Sequence, residues 1–166
     1  MDRAALQIVG GGKMGEALLA GLLGAGHEGT IRVVETHAGR ADELRAAYPA
    51  LEVSDAPGPA DGTLLAVKPH LVAEVAGALG PHGGRVLSIA AGVTIAALEA
   101  ALPAGTPVVR AMPNTPALVG AGAAAVAPGT HATDDDLAWA ESVLGAVGSV
   151  VRVPEHLLDA VTGLSG

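Results

Sequence analysis

A doubly wound α/β fold with a mostly parallel sheet follows from three observations. Short apolar or β-branched runs alternate with segments of helical period along the chain, the pattern of successive βα units. Three glycines, Gly10, Gly12 and Gly15, stand at GxGxxG spacing between an apolar run and an amphipathic segment. Glu35 closes the second apolar run twenty residues after Gly15, where a dinucleotide-binding βαβ unit places a carboxylate for ribose hydroxyls. The architecture expected is Rossmann-like.

Each glycine has its own task. Gly10 permits a tight turn, Gly12 lets the backbone approach a pyrophosphate with no Cβ in the way, and Gly15 lets helix pack closely on strand. Unpaired N–H groups and the positive end of the helix dipole then favour an anion at the helix start. The competing reading is a plain αβ turn in a chain with 24 glycines. The strand before, the helix after and Glu35 beyond favour the nucleotide site.

Residues 6–9 form the first expected strand, and Met14, Ala17, Leu18, Gly21, Leu22 and Ala25 share one face of the helix that follows. Residues 30–34 are the second strand. A helix over 41–48, with Ala41, Leu44, Ala47 and Tyr48 on one face, stops at Pro49, and a short strand follows at 51–53. Residues 55–62 have loop chemistry. The continuous apolar run 63–67 suits a central parallel strand buried on both faces, and it ends at Lys68-Pro69. Ligands of open parallel sheets bind beyond the carboxyl ends of the strands. That places Lys68 at the ligand edge, against the plainer reading of a solvated lysine before a helix that Pro69 opens and that runs to about residue 79.

Pro81 to Gly84 break that helix, residues 85–89 are strand, and Ala90-Ala91-Gly92 is a small-residue turn where backbone can come close to a ring. Thr94 caps a helix over 95–101. Residues 107–112 are a sixth strand. Pro113-Asn114-Thr115-Pro116 then presents an amide and a hydroxyl on a stiff loop, or else is a simple two-proline turn. Residues 122–127 are a further strand, mostly alanine. Thr133 and three aspartates open a helix whose buried face is Leu137, Ala140, Val143, Leu144 and Val147, the acids reading as capping groups. Residues 149–153 are the last strand, and Pro154-Glu155 begin an apolar helix with Leu157, Leu158, Ala160, Val161 and Leu164.

Composition narrows the partners. Nine basic against 17 acidic side chains give a formal net charge of −8, which disfavours nucleic acid and anionic membranes. An anionic ligand therefore needs a local site, such as the helix start. With no cysteine, disulfides, thiolate zinc sites and thiol nucleophiles are excluded. The six histidines are scattered, and no metal site is expected. The chain reaches a strand within five residues, unlike a secretory leader, and Pro and Gly cut its apolar runs. A soluble, cytoplasmic protein is expected. Aromatics are only 1% of residues, so the core must be built from Ala, Val, Leu and Ile.

Several segments together resemble the N-terminal half of pyrroline-5-carboxylate reductase. They are Ile8-Val-Gly-Gly-Gly-Lys-Met-Gly-Glu-Ala-Leu18, Ala66-Val-Lys-Pro-His70, Ser88-Ile-Ala-Ala-Gly-Val-Thr-Ile95, Val109-Arg-Ala-Met-Pro-Asn-Thr-Pro-Ala-Leu-Val-Gly120 and Asp159-Ala-Val-Thr-Gly-Leu-Ser-Gly166. The first would fit many dehydrogenases; the fourth and fifth are far more specific. The resemblance implies NADPH- or NADH-dependent reduction of the C=N bond of 1-pyrroline-5-carboxylate to proline, in proline biosynthesis. It implies a cofactor domain over 1–153, with 154–166 starting a linker helix into a C-terminal helical domain, absent from this chain, that dimerises and holds most of the substrate pocket. On that reading this chain is inactive or nearly so alone, and no catalytic residue is carried over.

Residue by residue, the resemblance places Gly11, Gly12, Lys13 and Met14 against the pyrophosphate and nearby ribose, within the turn shaped by Gly10 and Gly15. Glu35 and Thr36 fall at the adenosine ribose, Val67 and Lys68 beside the nicotinamide ribose, Ala91 near the nicotinamide ring, and Asn114 close to that ring by loop position. Glu35 stands where many relatives carry groups that accept a 2′-phosphate, which points toward NADH; Arg40 and His37 could offset it. Two other functions compete: a different NAD(P)-linked reductase, such as one that reduces a deazaflavin, and a non-catalytic nucleotide-binding module. The first does not predict the Met112–Gly120 segment, and the apolar final helix argues against the second.

Overall fold

The computed structural model describes residues 1–165, with side chains to residue 161. Eight strands form one sheet: β1 (Ala4–Val9), β2 (Ile31–Val34), β3 (Glu52–Ser54), β4 (Ala60–Leu65), β5 (Arg85–Ser88), β6 (Val108–Pro113), β7 (Gly122–Pro128) and β8 (Gly148–Arg152). Their spatial order is β3-β2-β1-β4-β5-β6-β7-β8. Every neighbouring pair is parallel except β6 and β7. The helices are α1 (Lys13–Gly24), α2 (Ala38–Ala47), α3 (Val72–Leu79), α4 (Ile95–Ala101), α5 (Asp134–Gly145) and α6 (Leu158–Ser165). The chain winds outward from β1 to β3, then returns to the other side of β1 with β4. That reversal opens a crevice at the carboxyl ends of β1 and β4.

Successive strand residues feed opposite faces of the sheet. Ile8, Leu64, Leu87 and Val109 join α1, α2 and α5 in one cluster through Leu18, Leu22, Leu44, Leu137 and Leu144. Their neighbours Val9, Leu65, Val86 and Val108 pack against α3 and α4 through Val72, Leu79 and Leu98 on the other face. The doubly wound, mostly parallel expectation is met. The expected face of α5 is buried as a set, and Thr133 forms a capping box with Asp136, so one of the three acids is a cap. α6 rests on β6 and β7 through Leu158, fully buried, and through Arg110, 4% exposed, which pairs with Glu155 at 2.9 Å and Asp159 at 3.0 Å. Leu164, expected on the apolar face of this helix, lies outside the described side chains. No helix among the described residues is long and apolar enough to cross a membrane.

Four boundaries differ from expectation. β4 begins at Ala60, inside the segment read as a loop, because Ala60 and Gly62 pair with Ala4 and Leu6 of β1. Gly62 is needed there, since a Cβ would lie 2.4 Å from Cζ2 of Trp139. The same strand ends at Leu65, leaving Val67 in the loop. α2 starts at Ala38, three residues early, because the His37 side chain caps it. Pro69–Leu71 form a 3₁₀ turn before α3. On α1 the buried residues are Gly15, Leu18, Leu19 and Leu22, so Leu18 and Leu22 of the expected face are kept and Gly15 and Leu19 join them, while a Cβ on Gly21 of that face would meet Val147 at 2.7 Å.

Candidate cofactor-binding site

Two cavities lie along the carboxyl edge of the sheet. One, of about 390 Å³, is lined by Gly10, Gly12, Glu35, Thr36 and Val75. The other, of about 340 Å³, is lined by Met14, Ala91, Met112, Asn114 and Thr115. Both include Ala66, Val67 and Lys68, so they are two halves of one groove across the β1/β4 crevice. A larger cavity, about 440 Å³, sits at the opposite edge among Leu23, Ile31, Tyr48 and Leu51. It has no charged lining residue and no helix start, and offers nothing to hold a phosphate.

The glycine-rich turn shows why the sequence demands glycine. Gly10 has φ +106°, and a Cβ there would lie 2.4 Å from the Ala66 carbonyl oxygen. A Cβ on buried Gly15 would lie 2.1 Å from the Gly10 oxygen. Gly12 is different: it is exposed, and a Cβ would meet nothing within 4 Å. Its lack of a side chain answers to space in the groove rather than to the fold.

Gly12 is the N-cap of α1 and offers no side-chain hydrogen bond, whereas α2, α4 and α5 are capped by His37, Thr94 and Thr133. The first helical bond runs from the Glu16 N–H to the Gly12 carbonyl at 2.9 Å. The N–H groups of Lys13, Met14 and Gly15 therefore precede the helical ladder; Gly12 and Met14 line the two halves of the groove, which places the donor-bearing helix start beside it.

The other expected residues come together on the same edge. Glu35, half-buried, accepts the Gly11 N–H at 3.1 Å and the His37 N–H at 2.8 Å. Thr36, Lys68 and Ala91 are exposed to the groove. Asn114 accepts the Ala123 N–H on Oδ1 at 2.8 Å, and its Nδ2 has no hydrogen-bond partner among the described residues. Gly11 departs from the expected pattern: it is buried, its N–H goes to Glu35, and its carbonyl accepts from Arg40 Nε at 2.7 Å. It belongs to the frame of the loop.

Sequence reading passed over Glu16 and Tyr48 at this site. Arg40 pairs with Glu43 at 2.8 Å and with Glu16, and the Tyr48 hydroxyl donates to Glu16 at 3.3 Å. Hydrogen bonds donated to Glu43, then to Glu16, hold the Arg40 guanidinium further above its already high value. Burial first, then the Glu16 charge, pushes the Tyr48 phenol up from its ordinary 10.0. Its stabilising effect is thus present in full below the ordinary value and is lost as pH rises through the raised one. Since Tyr48 is the single tyrosine, the near-ultraviolet absorbance of phenolate should titrate above 10.0, and Glu16→Gln should bring the midpoint part of the way back. A wild-type midpoint at or below the ordinary value would mean Tyr48 is not packed beside Glu16.

Residues 5–92 match the family model described as NADP oxidoreductase, coenzyme F420-dependent. The pyrroline-5-carboxylate reductase of Mycobacterium tuberculosis (strain H37Rv) is 43% identical over 98% of this chain and 59% of its own length. That of Corynebacterium melassecola is 41% identical over 97% of this chain and 63% of its own length. The solved structure of a pyrroline-5-carboxylate reductase from Coxiella burnetii superposes with a TM-score of 0.91 at 30% identity, covering 99% of this chain and 64% of that one. A Plasmodium falciparum pyrroline carboxylate reductase solved with NADP bound gives a TM-score of 0.82 at 23% identity, over 98% of this chain and 62% of that one, a likeness of fold. The chain spans about 60% of the length of these relatives.

Proposed function

This chain belongs to the family described as NADP oxidoreductase, coenzyme F420-dependent, and is a partial-length homologue of pyrroline-5-carboxylate reductases; from that premise we propose that it is the cofactor-binding part of such a reductase. The reaction is NAD(P)H-dependent reduction of 1-pyrroline-5-carboxylate to proline, in the cytoplasm and in a homo-oligomer. Residues 1–153 form the dinucleotide-binding unit, and 154–166 start a linker helix. The observation that carries the reading is the uncapped start of α1 at Gly12, opening on a groove where the chain reverses across the sheet.

The chain's residues bind and orient. The N–H groups of Gly12, Lys13 and Met14 receive the pyrophosphate, while Gly10 and Gly15 fix the turn and Gly11 is held behind it. Glu35 and Thr36 take the adenosine ribose, Val67 and Lys68 the nicotinamide ribose, and Ala91 lies beside the ring with the Asn114 amide nearby. The bound nicotinamide supplies the hydride. Ala66, Ile89 and Met112 give the second cavity an apolar lining beside the ring.

A deazaflavin-linked reductase is the second reading, favoured by the description of the family model. That match ends at residue 92, before the Met112–Gly120 segment, whereas the M. tuberculosis relative covers 98% of this chain. Parallel titrations with NADH and NADPH, with proline oxidation assayed on the same sample, test the proposal. Saturable dinucleotide binding is expected, and any turnover should be with proline. Binding of neither nucleotide, or turnover of a deazaflavin in place of proline, would overturn it.

A further inference from the structure

The hydrogen bonds around Gly11 close into a ring. The Gly11 N–H donates to Glu35, whose second oxygen accepts the His37 N–H; the Arg40 N–H donates to His37 Nδ1 at 3.2 Å; and Arg40 Nε returns to the Gly11 carbonyl. The ring joins three elements that are separate in sequence: the glycine-rich turn, the end of β2 and the start of α2. Glu16 of α1 holds the outer side of the Arg40 guanidinium, and Tyr48 at the end of α2 holds Glu16. Packing agrees with the bonding, since a Cβ on Gly11 would lie 2.6 Å from Leu44 Cδ1 and 3.0 Å from Glu35 Oε2.

We propose that Arg40 is a positioning residue for the glycine-rich turn, acting equally for both nicotinamide dinucleotides, and is not the reader of a 2′-phosphate. This inference rests on the dinucleotide-binding function proposed above. Three acceptors already occupy the guanidinium: the Gly11 carbonyl, Glu16 and Glu43. Turning toward a ribose phosphate would break the bond that fixes Gly11. Left in place, Arg40 holds the carbonyl of Gly11 while Glu35 holds its N–H, so the next peptide, which carries the Gly12 N–H, is aimed at the pyrophosphate before the ligand arrives. A loop that is already ordered loses less entropy on binding.

The test compares Kd values for NADH and NADPH in wild type, Arg40→Met, Arg40→Lys and Glu43→Gln. Arg40→Met should weaken both nucleotides by the same factor, roughly 5- to 10-fold, because the ligand must then order the turn that Arg40 held in advance. Arg40→Lys should not restore the affinity, because an ammonium cannot span the Gly11 carbonyl and Glu16 in the fixed fork of a guanidinium. Glu43→Gln, which touches only the exposed side of Arg40, should leave both affinities unchanged. Loss confined to NADPH with rescue by lysine would make Arg40 a phosphate reader and overturn the inference. So would unchanged affinities with a lowered melting temperature, the mark of a merely structural contact. If Arg40→Met does not fold, Arg40→Lys carries the same comparison, and wild-type affinity in it overturns the inference. A wild type that binds neither nucleotide refutes the proposed function instead, so the two failures are distinguishable.

Discussion

Gly12→Val is expected to abolish dinucleotide binding while the protein keeps its fold and melting temperature. Gly12 has φ −68°, a conformation open to any L residue, and a Cβ there meets no atom within 4 Å. The branched side chain would instead fill the space in front of the α1 donors. A loss of at least 100-fold in Kd, roughly 2.7 kcal/mol or more, is expected. Gly15→Val would unfold the same region, because its Cβ would press on the Gly10 carbonyl at 2.1 Å. The contrast between the two glycines separates a binding requirement from a folding requirement. Unchanged affinity in a folded Gly12→Val protein would remove the nucleotide from the start of α1.

Glu35→Ser is expected to move preference from NADH toward NADPH. The Glu35 carboxylate is held by the N–H groups of Gly11 and His37, and each oxygen keeps a lone pair that can accept a ribose hydroxyl. A 2′-phosphate replaces that hydroxyl with a charge of about −1.5 to −2. At an effective dielectric near 20, two unit charges about 4 Å apart repel by roughly 4 kcal/mol. Glu35 is only partly buried, and solvent reduces this, so a shift of about 10-fold in the NADPH to NADH affinity ratio is the expected scale. The shift should be larger at low salt. NADH affinity itself should also fall, since serine holds the Gly11 N–H less well than a carboxylate. An unchanged ratio at low ionic strength would show that Glu35 does not face the ribose.

Much of the site was legible because steric demands leave few residue choices. Gly10 and Gly15 answer to backbone crowding that only glycine meets; Lys68 falls at the ligand edge by the rule that strand ends carry ligands and Glu35 by its spacing from Gly15, whereas Ala91 and Asn114 are assigned to the nicotinamide end only by the family resemblance. What was hidden depends on contacts remote in sequence. The segment Pro57-Gly-Pro-Ala-Asp-Gly62 has turn composition, yet its second half pairs with β1. Arg32 looks like an outward residue in an apolar run, but it is fully buried, pairing with Glu52 at 2.6 Å and donating to the Pro59 carbonyl at 3.1 Å. β7 is nearly all small residues and carries no alternation, so its antiparallel pairing with β6 could not be read. Nor does any local signal join Tyr48 to Glu16 across 32 residues.

The central claim is that a nicotinamide dinucleotide lies across the carboxyl edge of this sheet, with its pyrophosphate on the start of α1. At 16.1 kDa the protein suits residue-resolved NMR titration. Addition of NADH should shift the backbone amides of Gly12, Lys13 and Met14 most strongly, with Glu35, Val67 and Ala91 following along the groove. Shifts confined to Leu23, Tyr48 and Leu51 around the cavity at the opposite edge, or no saturable shifts at all, would contradict it.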